Sequence, residues 1–105
     1  MSLKKKAFSY LNDQLDEETA HMLLAEAKTT FPSLLNKYKM QLKTESFSQA
    51  KESIHSLKGS MYAIGLLKEG EVAKEIEELL EKKNLTEDLK KLNIKLEGII
   101  KEFTV

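Results

Sequence analysis

The chain has no cysteine, no tryptophan and no arginine, one proline and four glycines in 105 residues, and its 17 acidic side chains cancel its 17 lysines. Each shortage excludes something. Without cysteine there is no disulfide frame, no thiolate nucleophile and no zinc finger, a composition that fits a reducing cytoplasm. Without arginine forks or a positive excess, sequence-specific binding of DNA or RNA is not expected. The longest apolar runs, such as Met22 to Ala25, are far too short to cross a bilayer. Lys4, Lys5 and Lys6 are followed by no continuous apolar stretch of the kind a secretory signal requires, so no membrane partner is expected. The length suffices for one core burying roughly 60–70% of the unfolded chain's surface. Residues 1–105 are therefore read as a single domain, and a multidomain enzyme is excluded.

What is abundant is Leu, Lys, Glu and Ala, a helix-forming composition. Phe8, Leu11 and Leu15 suggest a short leading helical turn. Asp16, with Glu17 and Glu18 behind it, supplies a cap and first-turn acids for a helix with the stripe Ala20, Leu23, Leu24, Ala27 and Phe31. Pro32 interrupts that pattern, so a new helix is expected with Thr30 as cap and Leu34, Leu35, Tyr38 and Leu42 as its apolar face. Ser46 and Gln49 form a capping box ahead of Phe47, Ala50, Ile54, Leu57, Met61 and Ile64, spaced 3, 4, 3, 4, 3. Gly65 ends this helix. Leu66, Val72, Ala73, Ile76, Leu79 and Leu80 mark the next, closed by Asn84. Thr86 caps a last one carrying Leu85, Leu89, Leu92, Leu96, Ile99 and Phe103. Short connections favour antiparallel neighbours. The expected fold is all-α, an up-down antiparallel four-helix bundle with a short extra N-terminal helix.

Nucleophilic triads, phosphate-binding glycine loops and nucleotide motifs are missing, so the chemistry rests on two histidines. At about 100° per residue, His55 lies about 130° from the centre of its helix's apolar stripe and faces solvent. A neutral ring nitrogen is a nucleophile that needs no neighbouring base. Lys58 sits one turn on, where its ammonium can meet a newly added phosphoryl group. Gly59 falls on nearly the same strip as His55. A mid-helix glycine costs about 1 kcal/mol against alanine, and close access to the His55 ring is one compensation. His21 has no such neighbours and is read as a boundary or solvent-facing residue.

The run His55-Ser56-Leu57-Lys58-Gly59-Ser60, with Gly65 ten positions after the histidine, resembles the signature of histidine-containing phosphotransfer (HPt) domains, and the order of helices over about residues 15 to 103 is similar to that family's. The resemblance implies that His55 is the phosphoacceptor, Lys58 the neighbouring cation and Gly59 the clearance residue. It also implies a phosphoryl carrier in a two-component phosphorelay, without catalytic machinery of its own. The partners implied are response-regulator receiver domains and a hybrid sensor histidine kinase, with Mg²⁺ supplied by the receiver and no cofactor on this chain. Met61 and Tyr62 depart from the family's habit of small residues there. Tyr62 either packs against the fourth helix or contacts a partner. Helix phase nominates Ser48, Lys51, Ser56 and Tyr62 as docking residues on a cytoplasmic, monomeric protein.

Two rivals stand beside this reading. Glu18 with His21, and Glu52 with His55, repeat the Glu-x-x-His spacing of di-iron bundles. Yet Glu52 points about 170° and Glu18 about 160° away from the apolar centres of their helices, so no metal site is expected. The other rival is a structural or protein-interaction bundle whose surface histidine is incidental. It predicts no effect of replacing His55.

Overall fold

The computed structural model describes residues 2–105, and among these it is helical throughout, with no strand. Five helices follow in order: α1 (Leu3–Gln14), α2 (Glu17–Lys43), α3 (Phe47–Ala63), α4 (Leu67–Glu81) and α5 (Glu87–Thr104). In a helix residues three or four apart share a face, and each helix buries such a stripe. Leu3, Ala7 and Leu11 do so in α1, Ala50, Ile54, Leu57 and Met61 in α3, and Leu89, Leu96, Ile100 and Phe103 in α5. All five stripes meet in one core. α2 lies beside α3 and α5, and α4 beside the same two, while α1 packs on α2 and α5.

Pro32 does not break the chain. It lies inside the 27-residue α2, whose buried stripe runs on through Ala20, Leu24, Ala27, Phe31, Leu35 and Tyr38. The missing N–H of Pro32 orphans the carbonyl of Lys28, an exposed residue that water reaches. Burying an unbroken stripe against α3 and α5 outweighs the local cost, and Thr30 is mid-helix instead of a cap. Two other caps differ from expectation. Asp16 accepts from the Thr19 backbone N–H at 3.3 Å, but Ser46 and Thr86 make no side-chain cap bond. Ser46 is instead held by its own N–H, which donates to the Gln41 carbonyl at 2.7 Å in the turn that ends α2.

The α3–α4 connection sets up the site. Gly65 has φ +82°, its N–H donates to the Tyr62 carbonyl, and the Leu66 N–H donates to Met61. This is a Schellman turn closing on the fully buried Leu66. A side chain at Gly65 would need left-handed backbone and would also strike the Tyr10 ring from α1. The turn sends α4 back along α3, and side-chain pairs count down one helix as they count up the other: Lys51 with Glu81, His55 with Glu77, Tyr62 with Glu71.

Candidate functional site

Ile54, Leu57 and Met61 are fully buried and fix the rotation of α3. His55 is thereby carried to the outside, with 66% of its side chain exposed. The ring is nonetheless tethered. His55 Nδ1 lies 2.7 Å from Glu77 Oε2, and Lys58 Nζ donates to Glu77 Oε1 at 2.6 Å. Glu77 and Lys58 are only 15% and 20% exposed. Partial burial pushes the Glu77 carboxyl upward, but the hydrogen bonds and charges of Lys58 and His55 outweigh that and hold it below the ordinary carboxylate range. An ionised carboxylate only accepts, so the proton of the neutral imidazole is assigned to Nδ1, and the lone pair is left on Nε2. The arrangement presents one oriented nucleophilic nitrogen, without a base strong enough to strip the ring.

Gly59 is exposed, and a Cβ built there meets nothing within 4 Å. No intramolecular packing demands the glycine. Ser48, Lys51 and Ser56 line an open concavity with His55, Glu52 and Glu77. Tyr62 lies apart from that group. Its half-buried ring fills the space above Gly70 of α4, and its hydroxyl donates to Glu71 Oε1 at 3.0 Å. Burial, then the Glu71 hydrogen bond and charge, push its phenol upward. Packing against α4 is thus present, and it also explains Gly70, since any Cβ there would strike the ring.

His21 is exposed on α2, stacked on Phe8 with centroids 4.6 Å apart and 3.7 Å from Glu17. Glu18 and Glu52 are exposed. Among the described residues no group of three or more metal-ligating side chains is placed to hold an ion, and no helix is long and apolar enough to cross a membrane.

Glu77 is the residue the sequence reading missed, because it opens the charged run Glu77 to Lys83 and looks like part of a solvated face. A signal was present. His55 lies ten residues before Gly65 and Glu77 twelve after it, so folding the chain back at that glycine puts the two side by side.

The model of the Hpt domain family matches residues 18–103, from the start of α2 almost to the end of α5. No curated protein and no solved structure gives a significant match. Hpt domains are helical phosphotransfer modules of two-component signalling. A match over this much of the sequence means that the chain belongs to the Hpt domain family.

Proposed function

We propose that the protein is a phosphorelay carrier in which His55 accepts a phosphoryl group from the aspartyl phosphate of one receiver domain and passes it to the aspartate of another. The Nε2 lone pair attacks phosphorus, and the P–O bond to the aspartate breaks with its electrons returning to the carboxylate. The product ring carries phosphorus on Nε2 and keeps its proton on Nδ1. It is therefore a cation facing Glu77. In the return step the N–P bond breaks and the ring leaves as neutral imidazole, so no proton moves in either direction. Glu77 orients the ring, and Lys58 keeps Glu77 too weak a base to take the Nδ1 proton.

Phosphoryl transfer depends on in-line positioning and on neutralising charge on the equatorial oxygens. This chain contributes the positioned nitrogen and an accessible surface. The receiver contributes Mg²⁺ and the aspartate, and a hybrid sensor histidine kinase feeds the relay. We read residues 1–105 as one domain, with α2 to α5 as an up-down four-helix unit and α1 as the short extra N-terminal helix. The protein acts as a cytoplasmic monomer without catalytic machinery of its own. Gly59 gives clearance, Ser48, Lys51 and Ser56 border the docking surface, and Tyr62 stands at its edge. A carrier must release each partner, so the interface is at the small end, below about 1,200 Å².

One observation carries this reading: an exposed histidine with Nδ1 engaged by a carboxylate, Nε2 open, and bare backbone one turn away. Incubation with a panel of phosphorylated receivers tests it. Acid-labile phosphate is expected on the wild type and none on His55→Gln. Equal labelling of the variant, or none of the wild type by any receiver, leaves only the scaffold.

A further inference from the structure

We propose that Lys51 is the cation that binds the phosphoryl group carried on His55. The inference rests on the carrier reading above and assigns a role inside the same site.

The Nδ1 edge of the ring is taken by Glu77, and the Lys58 ammonium is spent on the other oxygen of that carboxylate, largely out of solvent. A phosphoryl group on Nε2 lies on the opposite edge. Helical side chains lean toward the N-terminus of their helix, over the turn that precedes them. His55 therefore leans back over the turn that begins at Lys51. An open concavity lies beside the ring, lined by Ser48, Lys51, Glu52 and Ser56 together with His55 and Glu77. Lys51 is the one lysine among them.

In the unphosphorylated protein Lys51 is paired with Glu81 of α4, and both side chains are well exposed at 38% and 62%. Such a pair contributes little and exchanges easily. A phosphoryl group brings about −1.5 to −2 charges into a concavity already bordered by Glu52 and Glu77, so it needs a counter-charge and competes for Lys51 better than one exposed, singly charged carboxylate does. The Ser48 and Ser56 hydroxyls supply further donors.

The test is a phosphorus-31 NMR titration of the full chain after labelling of His55 by phosphoramidate, a small-molecule phosphodonor that needs no receiver. A nearby cation favours the dianion, so Lys51→Met raises the phosphoryl titration midpoint by about 0.5 pH unit, and Lys51→Arg restores it. Glu81→Gln frees the lysine from its competitor and lowers the midpoint. An unchanged midpoint in Lys51→Met, a larger rise in Lys58→Met, or failure of phosphoramidate to label His55 overturns the proposal. Labelling by phosphoramidate with no transfer from any receiver sinks the carrier reading, while the titration still decides Lys51.

Discussion

His55 stands on the border between two unlike surfaces. On the α3–α4 side every polar rung runs the same way: Lys51, His55, Lys58 and Tyr62 of α3 donate, and Glu81, Glu77 and Glu71 of α4 accept. On the α2–α3 side beyond His55, toward the C-terminus of α3, the neighbours are small and mostly uncharged. Gly59 is open, and Ser60 and Ala63 border a groove floored by Leu23, Ala27 and Phe31, with Glu26 its one charge. The contrast separates two needs of a nucleophile that serves visiting partners. Orientation comes from the tied side and clearance for a visiting partner from the bare one.

The largest effect expected from breaking that contrast comes from bulk on the bare side. Gly59→Trp should slow phosphoryl transfer from a receiver about 30-fold, roughly 2 kcal/mol, while phosphoramidate labelling of His55 stays within about twofold. The same side chain at Lys74, exposed on α4 beside the tied seam, should slow receiver transfer less than about threefold. Comparing the two transfer rates decides the matter, and a greater loss in Lys74→Trp would mean that partners arrive from the α4 side.

The glycines sharpen the comparison through stability. Gly65→Ala forces a side chain into left-handed backbone and against the Tyr10 ring, and should cost about 1–2 kcal/mol. Gly59→Ala meets empty space in an exposed helix and should gain about 0.5–1 kcal/mol. Gly98→Ala on α5, equally unobstructed, provides a matched control far from His55. Urea midpoints measure all three, and a destabilised Gly59→Ala would show that the glycine serves the fold and not a visitor.

The parts of the molecule legible in the sequence were those governed by local periodicity. Ile54, Leu57 and Met61 at helical spacing place His55 outside, and Gly65 as a helix terminator follows from the same stretch. Pro32 misled because its local cost is visible in sequence while the benefit of one continuous stripe on α2 is tertiary. Glu77 was hidden for a related reason. Its role depends on the register of α4 against α3, which no single-helix pattern contains, and surrounded by other glutamates it carries no mark of its own. Helix phase sets Lys58 one turn from His55, but phase alone does not reveal that its ammonium goes to Glu77.

The smallest effect concerns the tied side and follows from acid titration. Burial raises the Glu77 carboxyl, Lys58 and His55 lower it by more, and the folded value lies below the ordinary 4.5. In the window between the two values the unfolded chain binds more protons than the folded one, so stability rises with pH there. The Glu77 contribution is thus fully present above about pH 4.5 and is lost as pH falls through the depressed folded value. Because His55 is well exposed, the loss should be no more than about 1 kcal/mol. Asp16, also held below its ordinary value by its hydrogen bonds to Thr19, contributes with the same sign in acid and would mask the effect in the wild type alone. Subtracting the urea-denaturation profile of Glu77→Gln from that of the wild type between about pH 3 and 6 removes the Asp16 share. A difference that grows with pH up to about 4.5 and is level above it is expected. A flat one would mean that Glu77 does not hold its two partners in solution, and that the ring of His55 is as free on the α4 side as on the other.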